Sequence, residues 1–237
     1  MIAHYDNQLA LRARLLTLAG PTTGSTSLSA TATGYARASG SFLTDGFKVG
    51  MEVTASGFGT AANNGTGRIT AVAALTMSVT AYTLTADTTE HGYTKTDRTL
   101  VVEVASTGRT LAVHLPTHRA WENTRFAPIA DIPFVEEQYL AGALTKATLG
   151  SFGELEATPL YVVKLASPAG TGIGALARLV DELIEHFAPN TPVTVGSDRL
   201  LVRADVAPSA APMVLLESGH MLATVTIPCR IRTANSR

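Results

Sequence analysis

Three sets of residues have types and spacings that could do chemistry. Gly170, Gly172 and Gly174 lie between a strand-like run, Tyr161–Leu165, and a helix-like run. A glycine loop opening a helix can hold phosphate on free N–H groups. The dinucleotide fingerprint needs its third glycine two residues further on, and an acidic residue after the next strand. Val193-Thr194-Val195 is followed instead by Gly196-Ser197, and no Gly-Lys-Ser/Thr occurs for a P-loop. The plainer reading is a tight strand-to-helix turn.

The six histidines are the second set. His114 and His118 are four apart, which on a helix would align two imidazoles for a metal. Pro116 stands between them and Val113 continues a strand pattern, so no such helix is expected. His91, His186 and His220 fall in a linker, near a helix end and at a turn, and solvated histidines are the default reading. No third ligand is near, and no metal site is assigned.

Nucleophiles form the third set. No Gly-x-Ser-x-Gly occurs. Cys229, the single cysteine, falls on the apolar side of a strand, where it reads as a small buried hydrophobe. Asp181, Glu182 and Glu185 share the wet side of a helix rather than converging as an acid and base. No catalytic residue, metal or cofactor is expected. What remains is recognition chemistry. Trp121, Glu122, Asn123 and Phe126 form an aromatic cluster that covers the core or anchors an interface. Arg230 and Arg232 point the same way on a strand and make one face positive, which suits a partner carboxylate or keeps an edge soluble.

The elements that carry these groups differ along the chain. Asp6 is a candidate N-cap for a first helix, stopped by Gly20-Pro21. Leu9, Ala13 and Leu16 share one face of it, and Leu11, Leu15 and Leu18 another. From Pro21 to about Asp97 the chain is crowded with Ser, Thr, Gly and Ala. Short strands are expected at Met51–Ala55, Arg68–Val72 and Leu75–Val79, with a turn at Asn63-Asn64-Gly65. Thr99–Ser106 and Arg109–Leu115 flank Thr107-Gly108 as a predicted hairpin. From Thr117 onward the grammar changes. Leu176, Leu179, Val180, Leu183, Ile184 and Phe187 recur at helical spacing, ended by Asn190 and Pro192. Leu200–Val206 reads as a strand. Ala223, Val225, Ile227, Cys229 and Ile231 alternate strictly, and Pro228 is expected to put that stretch at an edge or bulge. Helices with hairpin-connected strands predict an α+β core, a mixed or antiparallel sheet flanked by helices, carrying a small all-β insert.

The chain has 237 residues, 46% hydrophobic and 16% charged, with a formal net charge of −1. That composition excludes a wholly disordered chain. It argues against a dedicated nucleic-acid binder, which carries a basic excess. With one cysteine, no internal disulfide or Cys-rich zinc site is available. The opening Met1–Asp6 has no signal-peptide pattern, and no membrane-spanning run occurs. The charged fraction is low against about 25% in an average chain. Much of the deficit lies in the Ser/Thr/Gly/Ala-rich stretch, so it is weak evidence for a buried interface.

The order of features resembles a known family. After the first helix come Arg119-Ala120-Trp121-Glu122-Asn123, Phe126-Ala127-Pro128, Ile132-Pro133-Phe134-Val135-Glu136 and Gly150. Then follow Tyr161-Val162-Val163, Pro168-Ala169-Gly170-x-Gly172 and the helix ending in His186-Phe187. This resembles the tail terminator (tail completion) proteins of long-tailed bacteriophages and prophages. The resemblance covers residues 1–20 and 117–237. Residues 21–116 read as an inserted β module, with an alternative end near 97. The module, with Phe42, Asp45-Gly46-Phe47, Gly50-Met51 and Asn64-Gly65, is similar to small β domains of phage tail and neck proteins.

The resemblance implies a virion structural protein, not an enzyme. It implies a hexameric ring at the head-proximal end of the tail, assembled in the host bacterial cytoplasm. The ring would cap the tail tube, stop its polymerisation and offer a joining surface to a neck or head connector. The implied partners are further copies of the chain, the tail tube protein and the connector, with no nucleic-acid readout and no membrane. The interface candidates are Trp121, Glu122, Asn123, Phe126, Arg230 and Arg232. One alternative is a neck or minor tail protein that grips a neighbour through the β module. Another is a small enzyme using the Gly170 loop on a phosphate ligand.

Overall fold

The alternation read from Ala223 to Ile231 lies in the longest strand of the molecule, which runs from His220 to Ala234. Its five alternating apolar residues are fully buried. A period of two over that length is satisfied by a strand with one face on a core. The computed structural model describes residues 4–23, 26–86, 93–121, 126–147, 154–195, 198–203 and 205–234.

Helix α1 spans His4–Leu16 and α2 spans Gly174–His186. The first sheet contains β1 (Ala19–Thr22), β2 (Leu28–Thr31), β3 (Gly34–Arg37), β4 (Glu52–Ser56), β5 (Gly65–Val72), β6 (Thr76–Ala86), β7 (Tyr93–Asp97), β8 (Glu103–Ser106) and β9 (Thr110–His114). The second contains β10 (His118–Ala120), β11 (Phe134–Leu140), β12 (Leu144–Lys146), β13 (Glu154–Ala157), β14 (Leu160–Pro168), β15 (Pro192–Val195), β16 (Asp198–Val202), β17 (Ser209–Ala210), β18 (Val214–Leu215) and β19 (His220–Ala234). The molecule is therefore mostly β, 48% strand against 14% helix. This corrects the expected α+β core flanked by helices. After Thr117 the described residues form one α-helix, α2, and the remaining patterned stretches alternate and pair as strands.

The first sheet runs β1-β9-β4-β5-β6-β3-β2-β8, with β7 on β6. The hairpin predicted around Thr107-Gly108 does not form. β8 pairs with β2 and β9 with β4 and β1, so three residues join strands near opposite ends of the sheet, which must curl. Arg109 spans the gap. Its Nη1 donates to the carbonyls of Leu28 at 2.7 Å and Val104 at 2.6 Å, and Nη2 pairs with Glu103. Gly57 sits against the turn, with φ +82° and space for no Cβ, which would fall 2.4 Å from the Gly108 oxygen. Leu28, Tyr35, Phe42, Phe47, Phe58 and Ile69 fill the interior.

In the second sheet β19 pairs with β14 along His220–Pro228 and with β13 along Ile231–Ala234. On its other side β18, β17 and β16 follow one another. Pro228 is thus in a central strand, not at an edge. It sits where the neighbours change on both sides, so its missing N–H breaks no continuous ladder. The Thr158-Pro159 jog between β13 and β14 faces it, and Cys229 N–H bonds the Pro159 carbonyl at 2.9 Å. A Cβ on Gly142, between β11 and β12, would lie 2.3 Å from the Thr158 carbonyl carbon. Gly142, Pro159 and Pro228 mark one crease across three adjacent strands.

Both helices lie on one face of this sheet. Leu11, Leu15 and Leu18 meet Val135, Tyr161 and Val225 in one core, with Leu176, Val180, Leu183 and Phe187 from the α2 side. The Leu11 face of α1 is therefore the buried one, while Leu9 and Leu16 are exposed. The helix begins at His4, placing Asp6 within its first turn rather than at the N-cap, and Gly20-Pro21 belong to β1. β16 ends at Val202, short of the strand predicted to reach Val206, and Ala204 lies outside the described residues. The two sheets touch through α2, whose Ala175 enters the first core, and through Glu52, which accepts the Thr117 N–H at 2.8 Å.

Candidate functional site

The glycine loop folds as the plainer reading expected. Gly170 and Gly172 take φ of +84° and +78°, and α2 starts at Gly174 without a side-chain cap. Isoleucine, not a polar residue, precedes the helix, and Ile173 is exposed.

The aromatic cluster is split by the sheet. Val135 is in the helix-side core, so Phe134 faces the other way. Trp121 is partly buried against the helix-side core, with the Arg12 guanidinium 4.6 Å above its ring. Arg12 Nε donates to Glu137 Oε1 at 2.6 Å, and Nη2 bonds the same oxygen. Tyr161 donates its hydroxyl to Glu137 Oε2 at 2.5 Å. Burial, then the charge of Glu137, pushes the Tyr161 hydroxyl far up, so it stays a donor. Trp121, Arg12, Glu137 and Tyr161 thus form one stack tying α1 to the sheet. Sequence reasoning missed Glu137, although Val135 and Tyr139 flank it at period two and mark it as inward-facing. Glu122 and Asn123 lie outside the described residues, as do His91, Gly150 and Gly196-Ser197.

Phe126 lies on the opposite side. Its ring is 4.6 Å from His118 and 5.0 Å from Phe134. His118 and His220 are buried, which corrects the expectation of solvated histidines at these two positions. His220 Nε2 meets the Ile132 carbonyl at 3.0 Å, and Nδ1 lies 3.2 Å from Ser218 Oγ. Among the described residues, neither ring nitrogen of His118 has a hydrogen-bond partner. Burial, aided by the charge of His220, holds its pKa down at about 4. His114 is exposed, and His186 Nε2 lies 2.8 Å from the Arg14 carbonyl. Among the described residues, no group of three His, Cys, Asp or Glu could hold a metal ion.

Arg230 and Arg232 do share one face, away from Cys229 and Ile231. The face is not simply positive, because β13 supplies the counter-charges. Arg232 Nε donates to Glu156 at 2.9 Å, Arg230 Nε lies 3.4 Å from the same carboxylate, and Glu154 is 3.9 Å from Arg232. Trp121 and this arginine pair are on opposite faces of the sheet.

Three further groups settle by burial. Desolvation raises the Cys229 thiol to about 12, leaving it inert at neutral pH. Glu182 packs under Gly20 and pairs with Arg178 at 2.8 Å, its carboxyl raised by burial. Glu52, buried between the sheets, accepts the Tyr82 hydroxyl as well as the Thr117 N–H. Burial raises its carboxyl, against those two bonds.

Comparison with known proteins matches residues 103–232 to a family model described as a phage tail terminator protein. No curated protein matches the chain. One solved structure, whose printed name states no function, aligns with 52% of this chain and 83% of its own at 18% identity and a TM-score of 0.41. A likeness at that level carries no argument.

Proposed function

The chain belongs to the phage tail terminator family, and from that membership we propose that it forms a hexameric ring on the head-proximal end of the tail tube. It is a structural protein of a bacteriophage tail. The ring would cover the last ring of tube subunits, stop polymerisation and present a surface to the head-side connector. Head-to-tail contacts between identical subunits close into a ring when the rotation per subunit divides the circle.

The match over residues 103–232 carries the reading, because it spans the second sheet up to the last two residues of β19. The form of that sheet is compatible with it. The helices cover one face only. On the other, Leu140 and Leu160 stand opposite each other in register and are 42% and 37% exposed. We assign this open face, with Arg230 and Arg232 beyond the crease, to contacts between subunits. Residues 21–116 are proposed as an inserted module on this framework. No helix among the described residues is long and apolar enough to cross a membrane.

Negative-stain imaging of the purified chain, with light scattering for mass, tests the reading. Rings with a central hole, and shorter tubes when the chain is added to polymerising tube protein, are expected. A monomer at high concentration that leaves tube length unchanged overturns it.

A further inference from the structure

His118 is fully buried in a cage that joins the two sheets. Tyr93, from β7 of the first sheet, packs edge-on at 5.0 Å. Phe126, from the segment that leads to β11, and Phe134, from β11 of the second sheet, close it at 4.6 and 6.2 Å. Among the described residues the ring nitrogens have no hydrogen-bond partner, which is uncommon for a buried imidazole. A neutral imidazole can be held this way by its apolar faces. An imidazolium has two N–H donors and a charge, and no described residue of the cage accepts either.

The charged groups of the described residues around it offer no relief. Across the cage, β19 presents His220, already occupied by the Ile132 carbonyl and Ser218. Next to it in β10 is Arg119, a second cation, whose Nε is held by the Pro116 carbonyl at 2.8 Å. From β4, Glu52 acts on Arg119 and is engaged by Tyr82 and Thr117. From β7 comes the phenol of Tyr93. The segment of Phe126 and Phe134 contributes rings, and its acid, Asp131, is exposed. Aromatic faces attract a cation, but at about 0.5–2 kcal/mol this is small against desolvation of an unpaired charge.

We propose that the His118 cage is an acid-released latch between the sheets: a proton on the imidazole expels it and frees β7 from the second sheet. The linkage sign follows from burial. His118 binds its proton in the folded state only at about pH 4, below the ordinary value of 6.5. The neutral cage therefore stabilises the closed form fully above pH 6.5. That contribution falls as pH drops from 6.5 toward 4. No contact outside the single chain is needed, so the latch does not depend on the ring.

Hydrogen exchange of the intact protein tests it, with rates corrected for intrinsic pH dependence. Residues 93–97 should exchange about tenfold faster near pH 4 than at neutral pH, while β14 and β19 stay protected. His118→Phe fills the cage without a titrating group and should abolish the difference. Selective His labelling and NMR give a second measurement in the unaltered protein, where the His118 imidazole should titrate well below pH 6. Acceleration that persists in His118→Phe, unchanged exchange of residues 93–97, or titration of His118 at pH 6 or above overturns the latch.

Discussion

Arg12 on α1 and Glu137 on β11 meet 125 residues apart in sequence, with Nε 2.6 Å from Oε1. The Glu137 side chain is fully buried and that of Arg12 is 22% exposed. The contact fixes the first helix to a strand far along the chain. Trp121 covers the guanidinium and Tyr161 satisfies the second carboxylate oxygen.

Removing one partner of a buried pair strands the other. Arg12→Ala should lower stability by about 3 kcal/mol or more, because Glu137 keeps its burial and loses its cation. Glu137→Gln should cost less, since the amide still accepts from Tyr161 and leaves a partly exposed arginine. Urea denaturation followed by Trp121 emission measures both. Equal losses, or a loss for Arg12→Ala near zero, would show that the pair does not anchor α1.

Glu103 is the second anchor the fold depends on. It accepts N–H groups from Gly59 at 2.9 Å and Thr60 at 3.1 Å, and the Asn63 amide at 2.8 Å. Desolvation pushes its carboxyl up, but the bonds from Asn63, Gly59 and Thr60 outweigh it and hold it at about 2. A lowered folded pKa gives stability that is present above the ordinary 4.5 and is lost as pH falls toward 2. Glu103→Gln should therefore lower Tm at neutral pH, and the gap to the parent should close between pH 4.5 and 2. Thermal melts at stepped pH check this, and a gap that stays constant with pH contradicts it.

The crease gives a steric prediction. Gly142 has the Thr158-Pro159 peptide against it, with a Cβ position 2.3 Å from the Thr158 carbonyl carbon. Gly142→Val should cost about 2 kcal/mol or more, since backbone rather than a flexible side chain must move. Gly170→Ala, where a Cβ meets nothing within 4 Å, carries only the strain of φ +84°. If Gly142→Val melts with the parent, the three strands do not bend together there.

Local pattern made the long elements legible. The five alternating residues of β19 and the apolar stripe of α2 were readable because one side of each is simply core. The hairpin at Thr107-Gly108 was misread because local signals cannot see Arg109, whose side chain bonds two carbonyls across a curled sheet. The fold class was misread for a similar reason. Short runs after Thr117 carry no sign of how many strands β19 can recruit, and it pairs with five. Of the interface candidates, Trp121 and Phe126 are only five residues apart yet end on opposite faces. Neither lies in a strand, so strand parity does not relate them.

The open face of the second sheet gives the prediction closest to function. Leu140 and Leu160 face each other across β11 and β14, exposed on the side away from both helices. Replacing them together as Leu140→Glu and Leu160→Lys puts opposite charges in register, an arrangement antiparallel strands accept. Stability should change by less than about 0.5 kcal/mol, as for exposed sites away from the core. Contacts between subunits through this face would lose an apolar pair and gain charges that must be desolvated. Light scattering should then show rings replaced by single chains with an unchanged Tm. Rings that persist in the double variant would remove this face from the interface and leave the ring to be built elsewhere on the molecule.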